Sequence, residues 1–403
     1  GKVIGQPADG DSADVATAVP AAPAAQKDPA EPPARELGML LPECRRILLF
    51  HPECLFCLVA LESGKALRTE SRVEASVLAD MFVFFGGLAS ELKGETVPFN
   101  PNMMTLTTRE AVGVVGAIIP WNVPMMLMAI KVAPALVAGN AVVVKSAEDT
   151  PLAVLRVCQI MQEVLPAGVF NILSGFGPSC GGPLVEHKDV KKVSFTGSVE
   201  TGRTVYRAAA EKLIPVTLEL GGKSPMIVMG DADLDKAIAG AIGGMRFTRQ
   251  GQSCTAASRM LVHESLHDEF VKRLIEKVNS LKMGDPLDEE TDIGTIINRK
   301  QFDKVCGYIE TGEKEGATKN ELSALPTDSA LSDGLFVRPV IFTDVDPNAR
   351  VAREEIFGPV ACVFKFKTFE EALELANDSD FGLAATVWTT DLKTALVATK
   401  RLE

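Results

Sequence analysis

The sequence predicts an α/β protein whose parallel sheets are covered on both faces by helices. Three observations carry that expectation. Short, wholly apolar runs of strand type alternate with helical patterns, the order that builds parallel sheets. The 403 residues exceed one small core and suit two or three domains. Hydrophobic residues make up 46% and charged residues 23%, the balance of a globular chain in water.

Residues 1–36 are rich in Ala, Pro and Asp and nearly free of large apolar side chains. Burial cannot offset the entropy of ordering such a segment, so the expectation is disorder. Its first arginine is Arg35, which does not fit an Arg-rich mitochondrial presequence. Arg45–Phe50 reads as helix until Pro52 interrupts it. Leu58–Ser90 reads as a further helical stretch, with Val73, Val77, Leu78 and Met81 on one face. Thr96–Pro98 and Met103–Thr108 read as strands around the turn signal Asn100-Pro101-Asn102.

From there the alternation begins. Strands are expected at Ala141–Val144, Val169–Leu173, Lys192–Phe195, Val216–Leu220, Met226–Met229, Met260–His263, Val337–Phe342, Ala361–Phe366 and Ala384–Trp388. Between them, helices are expected at Leu152–Leu165, Thr201–Ala210, Leu234–Met245, Leu266–Leu281 and Phe369–Ala376, with another starting at Leu392. Pro166 and Gly168 close the first of these. No internal repeat is visible.

The net charge of −12 argues against nucleic acid as the main partner, since phosphate binding needs clustered Lys and Arg. Ala111–Ile130 approaches the length of a membrane span, but Pro120, Asn122 and Pro124 break its middle. Neither a membrane nor a metal is expected. The eight cysteines are scattered, and no secretory signal accompanies them, so no disulfide framework is expected. Cys54 and Cys57 form a lone CxxC without a second ligand pair and read as two buried thiols. His51, His187, His263 and His267 form no ligand cluster, and the last two read as solvated. Reduced cysteines and the missing signal suggest the cytosol.

Six segments carry chemistry. In order they are Pro120-Trp121-Asn122, Lys145-Ser146-Ala147-Glu148, Phe195-Thr196-Gly197-Ser198 with Gly202, Glu219-Leu220-Gly221-Gly222-Lys223, Gly251-Gln252-Ser253-Cys254 and Glu354-Glu355-Ile356-Phe357-Gly358-Pro359. Each alone is a weak signal. Together, in this order and spacing, they resemble the aldehyde dehydrogenase superfamily, over about Leu58 to Glu403. The resemblance implies a Rossmann-like cofactor domain over 37–219 and an α/β catalytic domain over 220–403.

On residue type alone, Cys254 is as well read as an inert thiol. The resemblance makes it the nucleophile, because a thiolate attacks an aldehyde well near neutral pH. The attack creates an oxyanion, for which the resemblance supplies the Asn122 side-chain amide and the Cys254 N–H. Pro120-Trp121-Asn122 alone would be a turn. Glu219 matches the general base that hydrolyses the thioester. Its apolar flanks, Val216 to Leu220, suggest a buried carboxylate that burial turns into a better base. Its presence favours release of a free acid over transfer to coenzyme A.

The resemblance names NAD as cofactor. The strand ending at Phe195 runs into Gly197 and Ser198 and then a helix with Gly202 in its first turns, a start that suits a pyrophosphate. The spacing differs from the GxGxxG fingerprint. Lys145 and Glu148 match the adenosine-ribose site, where a carboxylate disfavours a 2′-phosphate. Glu355 and Phe357 match the nicotinamide side, and Trp121 and Leu220 complete the cofactor set. Val123, Met126, Leu127 and Ile130 at helical spacing suggest an apolar wall for an aldehyde substrate, or equally plain core packing.

Relative to the family, the chain is expected to be truncated after Glu403. It would then lack a terminal arm, while a hairpin over 94–111 that could serve a homodimer or homotetramer is kept. Two other readings stay open: a scaffold that binds the cofactor without turnover, and an esterase that uses Cys254 and Glu219 without NAD.

Overall fold

The structure, a computed structural model, describes residues 3–24, 34–50 and 52–403, with backbone alone at 23, 24, 34, 35, 37 and 52–54. The chain forms two compact units. One comprises Val3–Glu62 and Arg72–Glu219, the other Ser63–Ser71 and Leu220–Glu403.

Among the described residues the first unit holds seven strands: β1 (Glu95–Asn100), β2 (Met103–Thr107), β3 (Val114–Ile118), β4 (Ala141–Lys145), β5 (Phe170–Leu173), β6 (Val190–Thr196) and β7 (Val216–Glu219). β1 and β2 form a separate antiparallel hairpin. The other five form a parallel sheet in the order β5-β4-β3-β6-β7. β3 and β4 are buried at every position, as expected of central strands covered on both faces. On one face Val115, Ala117, Val142 and Val144 pack with the helices Ala34–Leu48, Pro52–Ser63, Arg72–Gly87, Pro124–Val137 and Leu152–Met161. The helices Ser12–Ala24, Gly182–Glu186 and Val199–Ala210 touch the sheet outside that cluster. Ala111–Ile130 is broken as expected, into β3, a loop and a helix.

Two expectations fail near the start of the chain. Disorder over 1–36 does not hold at Ser12–Ala24, which is helical with Val15, Val19 and Ala22 fully buried. Its apolar stripe is narrow and made of small side chains, so composition hid it, yet small side chains let a helix lie close to a sheet. Residues 25–33 of that expectation lie outside the described residues. The helix expected over Leu58–Ser90 is broken at Gly64, whose φ is +71°. A side chain there would strike Thr295. The interruption at Pro52 is present: the helix Ala34–Leu48 ends before it, and Pro52 opens the next, Pro52–Ser63, where its missing N–H costs nothing.

The second unit holds β8 (Pro225–Val228), β9 (Arg259–His263), β10 (Thr318–Glu321), β11 (Val340–Thr343), β12 (Val360–Phe366) and β13 (Thr386–Trp388). Their order is β10-β11-β12-β9-β8-β13, parallel throughout except β10 against β11. The period of two is legible in the core. Val340, Phe342, Cys362 and Phe364 face one cluster, with Val305 and Ile309 of the helix Arg299–Lys314. Ile341, Ala361 and Val363 face the other, with the helices Leu234–Met245 and Glu264–Asn279. His263 is half-buried, and its Nδ1 accepts from the Ser265 N–H at 3.2 Å and caps Glu264–Asn279. Cys57 is half-buried, and the Cys54 side chain lies outside the described residues.

Candidate active site

In the first unit the candidate residues gather at one edge of the sheet. Pro120-Trp121-Asn122 follows β3, Lys145 ends β4, Gly197 and Ser198 follow β6, and Glu219 ends β7. These four strands are neighbours, and their carboxyl ends are where open parallel sheets bind ligands. The loops are tied together. The Ile119 N–H donates to the Lys145 carbonyl at 3.2 Å, the Gly197 N–H to the Glu219 carbonyl at 3.0 Å, and the Thr150 hydroxyl to the Trp121 carbonyl at 3.4 Å.

Asn122 is buried, and Trp121 half-buried. The helix Pro124–Val137 starts just beyond, and Val123 at its N-cap has no side chain to close it. Glu74 does this from another helix: its Oε1 accepts from the Met125 N–H at 2.8 Å and the Met126 N–H at 3.4 Å. Of the helix's expected wall, Val123 and Leu127 are buried while Met126 and Ile130 are half-buried. The Lys145 ammonium is buried and holds the exposed Glu148 carboxylate at 3.0 Å. The helix that follows is again capped from afar, the Glu62 carboxylate accepting from the Leu152 and Ala153 N–H groups at 2.8 and 3.2 Å.

Ser198 caps the helix Val199–Ala210, its hydroxyl accepting from the Thr201 N–H at 3.2 Å. Gly202 is buried. The remaining first-turn N–H groups have no acceptor within the helix. Beside them the Thr196 hydroxyl is buried without a hydrogen-bond partner among the described residues. Glu219 departs from expectation. It is exposed, because β7 is the edge strand and its residues alternate between half-buried and exposed. Nearby, Lys131 is buried and donates to the Ser194 hydroxyl at 3.0 Å. Burial pushes its ammonium down to about 8, against the upward pull of the Glu219 carboxylate.

The second unit gathers the rest around Gly222. Its N–H donates to the Glu355 Oε1 at 3.1 Å. A Cβ on it would lie 2.3 Å from the Cys254 carbonyl oxygen, so the cysteine turn packs directly on this glycine. Gly251, with φ +64°, lies as closely against the Gly358 carbonyl. Cys254 itself is half-buried in a turn, unlike Cys44, Cys158 and Cys362, which are buried. Leu220 is half-buried. Phe357 has φ +57°, and the Gln301 amide holds that strained loop by donating to the Ile356 and Phe357 carbonyls at 3.1 and 2.9 Å. Burial pushes the Glu355 carboxyl up, while the Gly222 N–H and the cations of Lys304 and Lys223 pull it down.

Chain comparison settles the family. A model of the aldehyde dehydrogenase family matches residues 1–403. The chain belongs to the aldehyde dehydrogenase family. Retinaldehyde dehydrogenase 3 of Rattus norvegicus is 44% identical over 98% of this chain and 77% of its own length. Cytosolic aldehyde dehydrogenase 1 of Mus musculus is 41% identical over 100% of this chain and 80% of its own length. Among solved structures, the NAD+ complex of an aldehyde dehydrogenase from Bacillus cereus superposes with a TM-score of 0.93 at 39% identity, covering 98% of this chain and 80% of that one.

Sequence reasoning missed several residues that the family fold places at these loops. Gln301 and Lys304 lie on the helix Arg299–Lys314, which was not anticipated because charged residues interrupt its apolar stripe. Lys304 is electrostatically coupled to Glu355 and Glu354. Glu62 and Glu74 act on loops far away in sequence, so no local motif marks them. The capping signal was legible only in its negative form: Val123 is a poor N-cap.

Proposed function

We propose that this aldehyde dehydrogenase oxidises an aldehyde to a carboxylic acid, with NAD as the electron acceptor and Cys254 as the nucleophile. The observation that carries the reading is the packing of Gly222 between the Cys254 carbonyl and the Glu355 carboxylate. Both the backbone of the candidate nucleophile's turn and the carboxylate assigned to the nicotinamide ribose therefore lie against one glycine, which supports the reading.

The residues present fit the cofactor. Glu148 offers a carboxylate for ribose hydroxyls, the start of Val199–Ala210 offers N–H donors for a pyrophosphate, and the orphaned Thr196 hydroxyl lacks a partner there. Lys145, Glu148, Gly197, Ser198 and Gly202 would hold one end, with Trp121. Leu220, Glu355 and Phe357 would hold the other. When bound there, NAD would supply the acceptor for the hydride released from the substrate carbon.

The Cys254 thiolate forms a bond to the aldehyde carbon, and the carbonyl π pair moves to oxygen. The Asn122 amide and the Cys254 N–H stabilise that oxyanion. When the C=O re-forms and the hydride leaves, Cys254 carries a thioester. Glu219 takes a proton from water, whose oxygen bonds to the acyl carbon. The C–S bond breaks, the acid departs and the thiolate is restored.

The substrate is a small aldehyde, with an apolar one favoured by Leu127 and Met126. A homo-oligomer is part of the reading, because the β1–β2 hairpin exposes Phe99, Met103, Met104 and Leu106, an apolar surface suited to a second copy. The cytosol is its proposed location. Leu67–Glu91 is long and apolar enough to cross a membrane by length and composition. It includes Glu74, whose buried carboxylate is hydrogen-bonded within the fold.

The deciding experiment is NADH production over a panel of aldehydes, with the native chain beside Cys254→Ala. Turnover by the native chain alone is expected. Turnover by both removes Cys254 as nucleophile. NAD binding without turnover by either supports the scaffold, and ester hydrolysis that needs no NAD supports the esterase.

A further inference from the structure

Glu70 is 5% exposed and lies on the short stretch Ser63–Ser71 of the second unit. That stretch is anchored. The Leu67 N–H donates to the Pro286 carbonyl at 2.7 Å, the Thr69 hydroxyl to the Asp292 carbonyl at 3.1 Å, and the Glu70 N–H to the Ala66 carbonyl at 3.0 Å. From this fixed base the Glu70 carboxylate reaches the segment just before Cys254. Its Oε1 accepts from the Thr248 hydroxyl at 2.5 Å, and its Oε2 from the Arg249 Nε at 2.7 Å, with Nη2 at 2.6 Å. The Arg249 side chain is itself only 13% exposed.

We infer that the Glu70–Arg249 ion pair braces the cysteine turn and sets where the Cys254 sulfur stands. The inference rests on Cys254 being the nucleophile. The turn needs a brace. Arg246, Gln250 and Gly251 all have left-handed φ, at +57°, +54° and +64°, a conformation the first two disfavour. Arg249 sits inside that strained run. Its own carbonyl accepts from the Gln252 N–H at 3.0 Å, and the Gln252 side-chain oxygen accepts from the Ile297 N–H at 3.1 Å. The Ser253 N–H then turns back on the Gly251 carbonyl at 2.9 Å. A shift at Arg249 therefore passes through a hydrogen-bonded stack to Cys254, whose carbonyl has no room to slide against Gly222.

A buried ion pair adds little stability over an apolar pair of similar volume, and what it adds is geometry. That difference gives the test. In the full chain, Glu70→Gln, Glu70→Asp, Thr248→Val and the double change Glu70→Leu with Arg249→Met are compared with native. The readouts are kcat, KM for aldehyde and NAD, melting temperature, and the pH profile of Cys254 alkylation by iodoacetamide. Glu70→Gln is expected to lower kcat by about tenfold to a hundredfold, the scale of a misplacement near 1 Å. Both KM values should stay within about twofold, the mark of a lost transition-state interaction. The alkylation rate should fall with kcat. Glu70→Asp should recover part of both, and Thr248→Val should lose less. The Leu/Met pair should restore melting without restoring kcat. If Glu70→Gln fails to fold, Thr248→Val and the Leu/Met pair decide. Native kcat and alkylation in those variants, or native kcat restored by the Leu/Met pair, would overturn the brace. Cys254→Ala run alongside keeps the two ideas apart, because its retention of turnover sinks the nucleophile reading while unchanged Glu70 variants sink only the brace.

Discussion

Replacing Glu148 by glutamine should move the enzyme's cofactor preference toward NADP by two to three orders of magnitude. The carboxylate is exposed yet fixed, because the buried Lys145 ammonium holds it at 3.0 Å. A ribose in reach would donate two hydroxyls to it, and hydrogen bonds to a charged group are worth about 1.5–3 kcal/mol each. The glutamine oxygen keeps part of that, so the loss for NAD is about 1–2 kcal/mol. NADP adds a 2′-phosphate of about two negative charges. At about 4 Å in water-like surroundings, the fitting limit for an exposed group, the repulsion is about 2 kcal/mol. Removing it, and depriving the Lys145 cation of its carboxylate partner, brings the total swing to about 3–4 kcal/mol. The assay is the ratio of kcat/KM for NAD to that for NADP with one aldehyde, native against Glu148→Gln. Equal efficiency with both cofactors in the native enzyme, or an unchanged ratio in the variant, would refute the role given to this carboxylate.

Glu74→Ala should lower kcat and also cost about 1–2 kcal/mol of stability, because it uncaps Pro124–Val137 beside Asn122, while Glu74→Gln should keep most of both. Calorimetry and NADH production check the two effects. The Lys131 ammonium, at about 8 in the folded state against 10.5 when free, is penalised when charged. Native stability relative to Lys131→Met is thus lowest below pH 8 and should rise by about 3 kcal/mol as pH climbs from 8 past 10, read from denaturant melts of both. Finally, Met104→Asp with Leu106→Asp should break any oligomer built on the β1–β2 hairpin, which sedimentation would show as a smaller species with an unchanged melting profile.

What the sequence revealed and what it hid follow one division. Central strands such as β4 and β12 were legible because burial on both faces leaves them no polar option. The motif residues were legible because a strand end, a glycine and a reactive side chain fall within a few positions of one another. Glu219 was misjudged because apolar neighbours suggest burial, whereas β7 is an edge strand and only its inward positions are covered. Ser12–Ala24 was missed because its buried side chains are small, and Arg299–Lys314 because its apolar stripe is thin among charges. The groups that hold the motif loops in place were invisible for a stronger reason. Glu62, Glu70 and Glu74 each close a helix or turn 51 to 179 positions away, so nothing near them in sequence reports the partner. In a sequence they are three acidic residues on a helical stretch, which solvation explains well enough. In the fold Glu70 and Glu74 are buried and Glu62 half-buried, and their hydrogen bonds end beside Cys254, Asn122 and Glu148. A glutamine at Glu70 would look conservative and would still remove the charge paired with Arg249. Reactive residues in this enzyme are therefore written locally, while their positions are written in long-range pairs that only folding brings together.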